Sequence, residues 1–196
     1  MEKKLPIYKY VLKEGDELNF GVDGVALVDS PAIERTFVAF ADQKQKFKIS
    51  NEERHIITGP AMIADLPIYR NDKMGEYYAV FDKETIQQSV FRFFKNGWNK
   101  VVNDMHDPTA KLGGVILFES IIIDSSRGIN VPSGFADAPD GSWFVSYYVE
   151  NDEVWQSVKD GKFVGFSIEG YFDKVPETMS DEDAILNLIA IAQGAD

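Results

Sequence analysis

The stretch GKFVGFSIEGYF, residues 161–172, decides how the chain is read. Its aromatic and β-branched residues suit a strand, and alternation places Phe166, Ile168 and Phe172 on one face and Ser167, Glu169 and Tyr171 on the other. A serine therefore points away from the apolar side. Gly165 and Gly170 weaken a strand, so each implies a bulge or the close approach of another backbone, such as a bound peptide.

Working outward, short alternating segments dominate: IYKYVL, GVALV, TFVAFA, KFKIS, HIITGPAMIA, EYYAVF, GGVILFESIIID and SWFVSYYV. Most are separated by Gly, Pro, Asn or Asp and recur too closely for a helical crossover between every pair. The expected fold class is β-rich α+β, largely antiparallel, with flanking helices. Asp82 is placed to cap a helix carrying Ile86, Val90, Phe93, Phe94 and Trp98, with Gly97 near its stop. Residues 151–161 read as a second helix, opened by Asn151 or Asp152 and closed by Gly161. Ser180 and Asp183 open a third, apolar one. The domain expectation is one unit over residues 1–174, with a helical extension over 175–196 that begins near Pro176.

Composition removes several function classes. The 196 residues carry a net charge of −12 and no Lys/Arg cluster, so nucleic acid is not an expected partner. No cysteine is present, which excludes thiol catalysis and thiolate metal sites. The N-terminus lacks an apolar core, and no segment reaches the roughly 18 apolar residues a membrane span needs, so the reading is a soluble protein without an export signal.

A serine hydroxyl needs a base to act as a nucleophile, and the chain offers two histidines. His106, in VVNDMHDPTAKLGG, should lie at the end of an element or in a loop; His55 begins an apolar strand and fits a solvent-facing position. Two isolated histidines do not make a catalytic zinc site, so no metal or cofactor is expected. GGVILFES lacks the Gly-Lys-Ser/Thr ending of a phosphate loop, and Gly165-Phe166-Ser167-Ile168-Glu169 departs from the G-x-S-x-G elbow. A carbohydrate-binding module would rest on Trp143, Tyr147, Tyr148 and Trp155, which fit strand and helix packing equally well.

Taken together, GVALVDSPAIERTFVAF, ITGPAMIADLPIYR, YYAVFDKETI, His106, LFESIIID and GFSIEGYF occur in the order seen in the XkdF-like serine proteases of tailed phages. That family is similar to the prohead, or capsid maturation, proteases and more distantly to the herpesvirus assemblin group. The resemblance covers about residues 24–172. It implies a compact β-barrel surrounded by helices, with Ser167 as nucleophile and His106 as base on neighbouring strands. It also points to Glu119 as the third member; Asp104, Asp124 and His55 remain alternatives, because alternation around Glu119 leaves both faces mixed. Backbone N–H groups are the expected oxyanion donors, and Gly165 and Gly170 leave room for such donors to approach.

The implied function is a prohead serine endopeptidase cutting scaffold and major capsid protein, and itself near Pro176, inside the assembling head in the host bacterial cytoplasm. A homodimer is suggested by the herpesvirus comparison alone. The alternative is an inactive, scaffold-associated head protein that keeps the protease fold.

Overall fold

The computed structural model describes residues 5–13, 15, 20–29, 46–73, 75–100, 102–135 and 138–177. The expected strand at TFVAFA and the expected helix after Ser180 lie outside the described residues.

The strands are β1 (Ile7–Val11), β2 (Gly21–Val28), β3 (Lys48–Asn51), β4 (Ile56–Met62), β5 (Ile68–Asp72), β6 (Gly75–Val80), β7 (Val102–Asp104), β8 (Asp107–Lys111), β9 (Val115–Ile122), β10 (Trp143–Val149), β11 (Gly165–Tyr171) and β12 (Asp173–Pro176). Two helices interrupt them, α1 (Lys83–Lys95) and α2 (Asp152–Lys159). Among the described residues the strands form three four-stranded sheets, in the orders β12-β1-β6-β5, β3-β4-β10-β9 and β11-β2-β7-β8. β1 with β6 and β2 with β7 run parallel, and the other pairings are antiparallel.

Both described helices start where cap chemistry places them. The Asp82 carboxylate accepts from the Thr85 N–H, and Asn151 Oδ1 accepts from Glu153 and Val154, so each side chain satisfies donors that a helix start leaves open. Ile86, Val90 and Phe93 of α1 then enter one apolar cluster with Val25 and Leu27 of β2, Ile57 of β4, Val145 and Tyr147 of β10, and Phe166 of β11. Trp143, Tyr147 and Trp155 are buried in this core, which removes them as an exposed sugar platform.

The closed barrel implied by the resemblance does not form among the described residues: their three sheets stay open. Between the sheet of β11 and that of β4 the seam combines a backbone hydrogen bond with ring packing. Phe47 N–H donates to Val164 O at 3.0 Å just outside β3 and β11, and the Phe47 and Tyr147 rings pack on Phe166 with centroids 5.1 and 5.2 Å away. The Phe47 backbone lies so close to β4 that a Cβ on Gly59 would come within 2.7 Å of its Cα, so only glycine fits there.

The expected boundary at residue 174 falls inside β12. Val175 and Pro176 pair with Lys9 and Tyr8, and Glu177 N–H donates to Ile7 O at 3.0 Å.

Candidate active site

Ser167 belongs to β11 and lies opposite Ala26 of β2, which in turn lies opposite Asn103 of β7. These three residues form one cross-strand row, and neighbouring strands are about 4.8 Å apart. Phe166 and its partner Leu27 face the core, so the row with Ser167 and Asn103 occupies the other face of the same sheet. That is the face alternation assigned to the serine. Ser167 is nevertheless only 5% exposed and Asn103 only 3%.

Two residues along β11, on the serine's side, Glu169 lies opposite Gly24. Glycine offers no side chain there, so the Glu169 carboxylate can extend across β2 towards β7. It does so: Asn103 Nδ2 donates to Oε2, and His106 Nδ1 lies 3.1 Å from Oε1. A carboxylate only accepts, so Nδ1 carries the proton and Nε2 of neutral His106 is left as the basic nitrogen.

His106 sits in the turn joining β7 to β8, with Asp104 paired to Asp107 on either side. Met105 and His106 take φ of 50° and 62°. This is the two-residue pattern of a type I′ hairpin, a place where Asn-Gly is the usual choice and where non-glycine residues are strained. The turn is tied back to β2: Met105 N–H donates to Leu27 O at 3.1 Å, and Asp29 N–H reaches Met105 Sδ at 3.4 Å. His106 itself is half-exposed, while Glu169 is mostly covered.

β2 carries an irregularity at this place. Glu169 pairs with Gly24 but Gly170 pairs with Val22, so Asp23 is an extra residue on β2. Burial, and then the charge of Glu169, push the Asp23 carboxyl above its ordinary value. Gly170, at φ 156°, explains its own presence: a Cβ there would collide with the Gly21 carbonyl. Its role is bulge geometry and close approach of β2. Gly165 is an ordinary member of the ladder, opposite Val28.

The carboxylate that touches His106 is therefore Glu169, in the place given to Glu119. Glu119 is exposed on β9, in a different sheet, opposite Ser146 of β10. The other candidates have other partners. Asp104 pairs with Lys162 at 3.3 Å, and Asp124 accepts from Ser126 Oγ and the Arg127 N–H. His55 stacks on Trp155 at 4.5 Å with Nδ1 3.2 Å from Val149 O. Asn103 and Glu169, which the structure brings beside His106, and Asp23 near them are not among the residues singled out from the sequence. For Glu169 the signal was present, since position i+2 on a strand shares the serine's face; for Asn103 and Asp23 it depended on strand pairing across β2.

Among the described residues no group of three or more His, Cys, Asp or Glu side chains is arranged to hold a metal ion, and no helix is long and apolar enough to cross a membrane.

Comparison with protein families matches residues 45–176 to a family described as "Putative phage serine protease XkdF". The chain belongs to this family. The matched span contains Asn103, His106, Ser167 and Glu169, and leaves β1 and β2, with Asp23, Gly24 and Ala26, outside it. No match is found among curated proteins or among solved structures.

Proposed function

We propose that the chain is the serine endopeptidase of a phage prohead, acting with Ser167 as nucleophile, His106 as general base and acid, and Glu169 as the group that orients His106. The observation that carries this reading is the His106 Nδ1 to Glu169 contact, on the sheet face and on the strand that hold Ser167. In the proposed reaction Ser167 Oγ attacks the scissile carbonyl and His106 Nε2 takes its proton. The proton passes to the amine as the C–N bond breaks. Water, deprotonated by His106, then attacks the acyl-enzyme, and His106 returns that proton to Ser167 Oγ as the ester C–O bond breaks and the acid product leaves. Glu169 stays ionised throughout and stabilises the imidazolium that forms at each step.

Membership of a phage serine protease family supports proteolysis, and the proposed substrates are the scaffold and major capsid proteins enclosed with the enzyme in the head. The net charge of −12 favours solubility at the local concentration such a compartment imposes.

One observation favours a second reading. Ser167 is nearly buried, so a substrate reaches its hydroxyl only after the covering groups yield, as expected of a head protein that keeps the protease fold without using it.

Co-expression of the intact chain, or of Ser167→Ala, with the scaffold and capsid proteins of its own phage separates the two. Intact-mass analysis should show new termini with the intact chain and none with the folded variant, a loss on the order of 10⁴-fold or more in rate. Identical masses in assembled heads would favour the structural protein.

A further inference from the structure

Asn103 is buried, and the two ends of its amide are treated differently. Nδ2 is committed to Glu169, while Oδ1 has no hydrogen-bond partner among the described residues. A buried acceptor without a partner is costly, and an apolar side chain of the same shape would avoid that cost. The neighbouring position on the same face takes that course: Ala26, directly opposite Asn103, is apolar and buried. What an apolar residue could not supply is the N–H that Glu169 receives.

The two oxygens of Glu169 are thus divided between two donors. Oε2 is held by Asn103 inside β7, and Oε1 faces His106 in the turn that β7 leads into. Without Asn103 the carboxylate would rest on a single contact to a half-exposed imidazole and could rotate about its last side-chain bonds. A local rule broken at a stability cost, beside groups of this chemistry, is the pattern expected where geometry serves function.

We propose that Asn103 is a positioning residue: by pinning Oε2 of Glu169 it fixes Oε1 as the acceptor for His106 Nδ1–H, and so keeps Nε2 of His106 as the free base facing solvent and substrate. The proposal rests on the protease reading for its consequence in turnover, but the coupling of Asn103 to the His106 tautomer does not.

The test uses the full chain and Asn103→Leu, which keeps the side chain's shape and removes both polar ends. The chain has two histidines, so ¹⁵N imidazole spectra resolve His106 once His55→Gln identifies the other signal. Spectra are read in a Ser167→Ala background to prevent self-cleavage. The native chain should show the Nδ1–H tautomer of neutral His106, and Asn103→Leu should move it towards Nε2–H. With Ser167 restored, kcat on a capsid-derived peptide should fall by about tenfold to a hundredfold with KM little changed, the size of effect expected when a reacting group is misplaced by about 1 Å. If Asn103→Leu does not fold, Asn103→Ala reads the same tautomer without adding side-chain bulk.

An unchanged tautomer together with unchanged kcat in a folded variant overturns the inference and leaves the protease reading standing. A tautomer shift in a chain that cleaves nothing supports the coupling, while the protease reading falls alone. A lower melting temperature with unchanged kcat and tautomer would make Asn103 an ordinary packing residue and also overturns it.

Discussion

Glu169 and Glu119 separate two kinds of reasoning about a single residue. Glu119 came from resemblance and Glu169 comes from contact, and substitution tells them apart. Glu169→Gln can offer an N–H where the carboxylate accepted, which reverses the preferred tautomer of His106. Under the proposed mechanism kcat should drop by up to about 10⁴-fold, as when a triad carboxylate is replaced by its amide. Glu119→Gln, on an exposed edge strand in another sheet, should leave kcat unchanged and stability within about 0.5 kcal/mol. Steady-state kinetics on both variants checks the pair. Asp23 adds a prediction in pH. Its raised affinity for a proton means the folded chain binds more protons than the unfolded one between the ordinary carboxyl pKa and the raised value. Stability attributable to Asp23 therefore falls as pH rises through that window. Asp23→Asn should stabilise the chain at neutral pH, and the gain should vanish below the ordinary carboxyl range; denaturant midpoints at several pH values measure it.

At the scale of elements, capping chemistry made the helices legible, and short length hid some of the strands. Asp82 and Asn151 are cap residues at the positions where their side chains accept backbone N–H groups, so α1 and α2 follow from local sequence. The β7–β8 hairpin that carries His106 does not. β7 has three residues, and its turn uses Met-His in place of the Asn-Gly that announces a type I′ hairpin, so only an element end or loop at His106 could be read. β5 and β12 were likewise absorbed into their surroundings, since five and four residues leave little periodicity to detect. The cap of α1 gives a sharper test than its periodicity. Burial would raise the Asp82 carboxyl, but hydrogen bonds from Lys9 and Thr85 outweigh it and hold the group below its ordinary value. The stabilisation this implies is complete above the ordinary carboxyl pKa of about 3.9 and is lost as pH falls through the lowered one. Asp82→Ala should therefore cost about 1–2 kcal/mol at neutral pH, and the difference from the native chain should shrink in acid. Urea denaturation of both chains at neutral and acid pH checks this.

For the molecule as a whole, the β-rich class with helices on its flanks was legible from segment lengths and spacing, whereas closure was not. Whether sheets join depends on which backbones meet at a seam, and that is decided by residues distant in sequence. Here Phe47, Tyr147 and Phe166 meet between β3, β10 and β11 and hold two open sheets together through their rings. Tyr147 exposes a cost of this solution. It is fully buried, burial pushes its phenol far above the ordinary range, and its hydroxyl has no hydrogen-bond partner among the described residues. The ring is what the seam needs, and the oxygen is what the interior penalises. Tyr147→Phe keeps the ring and removes the unpaired group, so it should raise stability by about 1 kcal/mol, seen as a higher denaturant midpoint with an unchanged slope. Because Tyr147 lies on the core face of β10, away from the face holding Ser167 and Glu169, peptide cleavage should be unaffected. A lower midpoint would mean that water satisfies the hydroxyl in solution, and the seam would then be a hydrated joint between sheets rather than a dry one.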